Sequence, residues 1–268
     1  MAELPERFYG LRFDPFAAAS RSLEHGFPSK DFKQALARIR KSAREEGVNL
    51  LMGRSGSGIS FAAGYAAKEL AAAQYTVCHV TVLHISSRGV LKTLCGKVGA
   101  EPRGKVREAL IRAIQEKAMA LKEKHRPLCL IMDNAQNLQG DLLEDLPYLA
   151  ALDYPPVNLI TLMLCGTPEI EVRIKQTETL KSRITDFYTM EGLKPGEVPE
   201  YVLHKLKLAG ARENMMDEEA LNSLYDYSSN GNYRFVNKLV HDAIYLGAQT
   251  ERMVIDRNII VSAASCQF

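Results

Sequence analysis

The sequence predicts an α/β protein: a parallel sheet covered by helices on both faces, followed by an all-helical C-terminal part. Three observations predict it. Short apolar runs alternate with helix-like stretches through the larger part of the chain, the pattern of a sheet buried on both faces. The first run, Val48–Met52, ends in a glycine-rich loop that leads into an alanine-rich helix. After Leu193 the strand-like runs cease, which places a boundary near Gly192 and divides the chain into 1–191 and 192–268.

Taken in order, the opening gathers Phe8, Tyr9, Leu11, Phe13 and Phe16 around Pro15 in an extended aromatic segment that belongs with the α/β part. Ser29 precedes a helical stretch with Phe32, Leu36 and Ile39 at helical spacing. Val48–Met52 reads as a buried strand, and the helix that starts at Ser60 runs through 61–74. Tyr75–Leu83 is a second strand, and Glu108–Lys124 is an amphipathic helix. Pro127 opens Leu128–Asp133, a third buried strand with a carboxylate at its tip, and Asn158–Cys165 makes a fourth. Residues 195–209, 217–228, 232–248 and 256–264 then read as helices.

A chain of 268 residues can bury an ample core in one large or two smaller domains. Its 46% hydrophobic and 25% charged residues are those of a soluble globular protein. No run approaches a membrane span, and the start lacks the apolar stretch of a signal peptide. Five cysteines without Cys-x-x-Cys spacing are expected to be reduced thiols, which suits a cytoplasmic location with no membrane partner. Net charge is only +2 but unevenly spread: 86–126 holds eleven Lys/Arg against four acids, and 128–200 holds twelve acids against five bases. That arrangement permits nucleic-acid contact and head-to-tail subunit contact, and two solvated helical faces would have the same composition.

Residues Gly53, Arg54, Ser55, Gly56, Ser57, Gly58, Ile59 and Ser60 follow the phosphate-binding pattern Gly-x-x-x-x-Gly-Lys-Ser/Thr except at one position. Ile59 stands where the lysine that meets the β- and γ-phosphates is required, whereas Ser60 keeps the magnesium hydroxyl. Backbone N–H groups and the positive end of the following helix supply the rest of the anion site. Asp133 ends its strand where a carboxylate that helps hold magnesium is expected, with Asn134 directly after it.

These residues, with others, resemble the AAA+ ATPases of the TniB and ExeA type, many of them encoded beside transposases. The likeness runs through Tyr9-Gly10-Leu11, Pro15-Phe16, Phe27-Pro28-Ser29, the glycine loop and Asp133-Asn134-Ala135-Gln136. It continues in Leu164-Cys165-Gly166-Thr167-Pro168-Glu169, Arg183-Ile184, Leu208-Ala209-Gly210 and Gly231-Asn232-Tyr233-Arg234 with Asn237. The resemblance implies an AAA+ core with a helical lid, ATP and magnesium as ligands, and self-assembly into a ring or filament on double-stranded DNA beside a transposase. It puts Thr167 in the sensor-1 region, makes Arg183 the arginine offered to a neighbouring subunit, and makes Arg234 the sensor-2 arginine. Similar proteins also place DNA contacts after the second strand, which here offers Arg88, Lys92, Lys97, Arg103 and Lys105.

Two departures set the functional expectation. A hydrogen bond from a charged group contributes about 1.5–3 kcal/mol, so losing the lysine should weaken nucleotide binding roughly 10–150-fold. Asn134 replaces the glutamate that polarises the attacking water, and losing a general base costs about 10²–10⁴ in rate. Arg54 is a cation in the loop, and the sequence leaves open whether it meets a phosphate. The expectation is a nucleotide-binding regulator of transposition with weak or absent hydrolysis. The alternative is a non-catalytic adaptor that keeps the fold and binds protein partners.

Overall fold

The computed structural model describes residues 5–17, 26–152, 157–212 and 214–265. The chain divides into two compact units, 32–55 with 59–190, and up to residue 31 with 56–58 and 191–268.

The first unit is α/β. After α2 (Lys30–Glu45) come β1 (Gly47–Gly53), α3 (Ile59–Ala72), β2 (Thr76–Thr81), α4 (Ser87–Val98), α5 (Arg107–Glu123) and β3 (Leu128–Asp133). A short 3-10 turn, Ala135–Asn137, leads to α6 (Gly140–Ala150), the two-residue strands β4 (Ala151–Leu152) and β5 (Val157–Asn158), and β6 (Ile160–Gly166). Then follow α7 (Glu169–Lys175), α8 (Glu178–Lys181) and β7 (Ile184–Met190). The five main strands are all parallel in the order β2-β3-β6-β1-β7. Strands β1, β3 and β6 are fully buried because both sheet faces are covered, which is why they read as unbroken apolar runs. On one face Leu130, Met132, Leu162 and Leu164 pack with residues of α4, α5 and α6; on the other, Ile131, Met163 and Cys165 pack with α2 and α3. Cys78, Cys95, Cys129 and Cys165 are buried free thiols, with burial raising Cys78 to about 11 and Cys129 to about 12; Cys266 lies outside the described residues.

Several elements escape the sequence reading. Strand β7 alternates half-buried and exposed residues, with Phe187 64% exposed, so it carries no apolar run. The basic stretch after β2 contains α4, capped by the Ser86 side chain at its start and by Gly99 in the left-handed region at its end. Helix α6 holds Pro147 in its interior, a residue that argues against a helix when only the sequence is read.

The second unit is helical: α9 (Glu197–Ala209), α10 (Glu218–Tyr227), α11 (Tyr233–Gln249) and α12 (Arg257–Ser265). Asp217 and Asn232 cap α10 and α11 by accepting backbone N–H groups. The opening segment packs here. It begins as a helix, α1 (Pro5–Phe8), and is not extended throughout, because proline suits a first helical turn. Tyr9, Leu11 and Phe16 are buried with Val202, Leu239, Ile244 and Ile260, and the Tyr9 hydroxyl donates to the Arg252 carbonyl (2.7 Å). Among the described residues no helix is long and apolar enough to cross a membrane.

Candidate functional site

Strand register brings the α/β unit's candidate residues to one edge. Met52 of β1 is level with Gly166 of β6, and Cys165 is level with Asp133 of β3. Gly53, Thr167 and Asn134 therefore leave the C-terminal ends of three neighbouring strands. With strands about 4.8 Å apart, the loop strand and the Asp133 strand lie roughly 10 Å apart, with β6 between them.

The glycine loop keeps the backbone of an anion nest. Gly56 and Gly58 hold φ of +89° and +99°, which side-chain-bearing residues rarely adopt. A Cβ on Gly56 would run into the Asn232 side chain and lie 2.7 Å from Arg234 Cβ; loop residues 56–58 and both lid residues belong to the helical unit. Arg234, the second residue of α11, thus stands beside the loop tip, its N–H accepted by Asn232 Oδ1 (3.0 Å). Ser57 is 1% exposed, and among the described residues its hydroxyl has no hydrogen-bond partner. Ser55 and Ser60 are exposed, and so is Arg54.

Ile59 does not point into open space. At 8% exposure it belongs to the apolar cluster of Phe32, Leu36, Ala62 and Ala63. Ile59 is part of the packing around α3.

Asp133 is 6% exposed, and its Oδ1 accepts the Asn134 N–H (2.9 Å). Asn134 takes up the left-handed region (φ 57°, ψ 41°), a conformation asparagine tolerates better than most residues. Gln136 ties this turn to β6: its Oε1 accepts the Thr167 N–H (3.2 Å), and its carbonyl accepts Arg173 Nη1 (2.5 Å). The sequence reading quotes Gln136 within a motif but gives it no role; nothing in one sequence marks a side chain as a brace.

Some of these residues, taken singly, suit the groups of a magnesium nucleotide. The positive-φ glycines and the orphaned Ser57 hydroxyl suit phosphate oxygens, and Ser60 with Asp133 suits magnesium, which takes one or two protein ligands and shares the rest with phosphates and water. Ile59 and Asn134 supply neither a cation nor a base.

Arg183 is exposed immediately before β7, and register pairs Ile184 with Val48 at the start of β1 while Met190 pairs with Gly53. Arg183 therefore lies about 20 Å along the strand from Gly53, at the opposite end of its own sheet. Within one chain the two are not brought together.

The basic candidates are all exposed. Arg88, Lys92 and Lys97 lie on α4, and Arg103 and Lys105 lie in the connection to α5. Arg88 and Lys92, four apart, share a helix face, whereas Lys97 Nζ donates to the His79 carbonyl (3.0 Å). Asp141, unmarked in the sequence reading, joins the starts of α4 and α5: it accepts the Ser87 hydroxyl and pairs with Arg107 (2.5 Å).

Residues 41–174 match a family described as an AAA domain. The chain is 24% identical over 242 residues to general secretion pathway protein A of Aeromonas hydrophila, covering 89% of this chain and 44% of that protein. It thus spans less than half the length of that relative. Among solved structures, Cdc6p from Pyrobaculum aerophilum superimposes with a TM-score of 0.72 at 15% identity, covering 91% of this chain and 69% of the other. The ORC2 protein of Aeropyrum pernix in its ADP form gives 0.65 at 17% identity, covering 87% and 67%. At these identities the likeness is one of fold.

Proposed function

This chain belongs to the AAA-domain family, and on that premise we propose that it is a DNA-associated regulator of transposition. In this reading it binds ATP and magnesium weakly, assembles on duplex DNA, and hydrolyses nucleotide slowly or not at all. The observation that carries the reading is a contrast inside one loop: the phosphate nest is retained, while Ile59 is built into the α2–α3 packing. Gly56, Gly58 and the start of α3 would hold phosphate oxygens, and Ser60 and Asp133 would hold magnesium, which supplies charge neutralisation when bound. Asn134 can orient a water but has no basic oxygen to take its proton.

The remaining roles follow the same logic. Arg183, far from the loop of its own chain, suits delivery to a neighbour's nucleotide, and Arg234 suits a lid arginine that reads phosphate. The solved ORC1 relative of Aeropyrum pernix is in complex with DNA, which favours DNA as the partner of the exposed α4 cations. Contacts of that kind are to phosphates and carry little sequence preference. Transposition itself rests on the motif resemblance. The deciding measurement is nucleotide occupancy and hydrolysis of the purified full chain, with and without duplex DNA. Binding without appreciable turnover supports the reading, and a turnover near 1 per second or faster overturns it.

A second reading is a protein-binding adaptor that needs no nucleotide. It is favoured by the burial of Ile59 and by the relative named for secretion, in which this chain would correspond to less than half. Absence of both nucleotide binding and DNA-dependent assembly would select it.

A further inference from the structure

The nucleotide loop has lost its lysine but has not lost all positive charge. Between Gly47 and Ala67, a segment spanning β1, the loop and the first turns of α3, Arg54 is the only charged residue. It follows β1 directly, it is exposed, and its side chain has no partner among the described residues. Several cations of this unit are already committed, Arg40 to Glu69, Arg38 to Asp186, and Lys122 to Glu46. The loop also contains Ser57, 1% exposed with an unsatisfied hydroxyl, between two glycines at positive φ. A buried hydroxyl without a partner points to a ligand acceptor. Ile59, held in the apolar cluster, cannot provide the balancing charge.

We propose that Arg54 is the phosphate-binding cation of this loop, offsetting from the loop's start part of the charge lost with the lysine at Ile59, for a nucleoside di- or triphosphate. The proposal rests on the nucleotide-binding part of the reading above. Guanidinium suits the task, since its planar donors can take two phosphate oxygens at once, and it stays charged at every accessible pH. The exchange also changes the loop's behaviour. A lysine at position 59 would be anchored at the helix start, whereas Arg54 lies where the strand opens into the loop, so its contact forms only when a ligand arrives to order it.

The test is equilibrium binding by the full-length protein, using a fluorescent ATP analogue with magnesium, displaced by unlabelled ATP and ADP. Arg54→Ala and Arg54→Gln should weaken binding of both nucleotides about 10–150-fold. Arg54→Lys should retain most of it, and Arg257→Ala, an exposed arginine on α12, should match the wild type. Arg54 has no partner among the described residues, so its variants should melt with the wild type. Wild-type binding with Arg54→Ala unchanged would overturn this inference and leave the nucleotide reading intact. If the wild type binds neither nucleotide at millimolar concentration, the reading beneath it fails as well.

Discussion

Restoring the two missing groups together, Ile59→Lys with Asn134→Glu, should convert the protein into a working ATPase, whereas neither change alone should. The structure sets what this costs. Ile59 is 8% exposed in an apolar cluster, and giving up that burial loses about 1.5–3 kcal/mol. Glutamate at φ 57° must adopt a conformation that costs most residues about 1–2 kcal/mol, a penalty asparagine largely avoids. The sum, about 2.5–5 kcal/mol, is below the stability of most folded proteins, so the variant should fold with its melting point lowered by roughly 5–20 °C. Against this stand about 10–150-fold in nucleotide affinity and about 10²–10⁴ in rate. The assay is steady-state phosphate release at one fixed ATP concentration, subsaturating for the wild type, with magnesium, with and without duplex DNA, beside a thermal melt of each variant. Asn134→Glu alone reaching the rate of the double variant would show that the lysine is dispensable and refute the separation of binding from chemistry. A folded double variant with no turnover would refute the assignment of Asn134 to the water-polarising position.

Three further outcomes are expected. Charge reversal of Lys92 and Arg103 together should weaken binding to duplex DNA of every sequence tested and flatten its salt dependence, measured by fluorescence anisotropy; unchanged binding would make α4 a solvated face. Arg183→Ala should abolish nucleotide-stimulated assembly seen by light scattering or negative-stain imaging while leaving the melt unchanged, and a monomeric wild type with ATP, magnesium and DNA would favour the adaptor. The hydrogen bond from Ser87, and then Arg107, hold the Asp141 carboxyl below its usual range. Its contribution is therefore present above the unfolded value of about 3.9 and lost as pH falls through the lower folded value. Asp141 is half exposed, so solvent screening keeps the effect within about 1 kcal/mol; Asp141→Asn should remove that acid-limb component from unfolding midpoints measured between about pH 5 and 2.

The sequence revealed what the physics repeats. Strands covered on both faces become apolar runs, so β1, β3 and β6 were legible within a residue or two, as were the four lid helices through their amphipathic spacing. Strand β7 was not, because an edge strand needs only one buried face and its alternation is short. The loop was legible through its glycines, but the direction of the Ile59 side chain was not, since an isoleucine at a helix start can cap a core or face solvent. Gln136 and Asp141 act through partners 31 to 54 residues away in the chain, and spacing carries no trace of such contacts. The site's register, and the placing of Arg183 at the far end of its sheet, needed the strand pairing itself.

The docking of Tyr9, Leu11 and Phe16 among α9, α11 and α12 makes the helical unit discontinuous along the chain, and that has a consequence during synthesis. These apolar side chains emerge before the α/β unit, yet Ile244 and Ile260, which cover them, emerge more than 200 residues later. At roughly 5–20 residues per second the interval is about 10–50 s, long enough for the intervening α/β unit to fold while the opening segment waits uncovered. A ribosome-bound nascent chain should therefore expose a sticky apolar segment that the folded protein conceals, and its burial is complete only once α11 and α12 have been made.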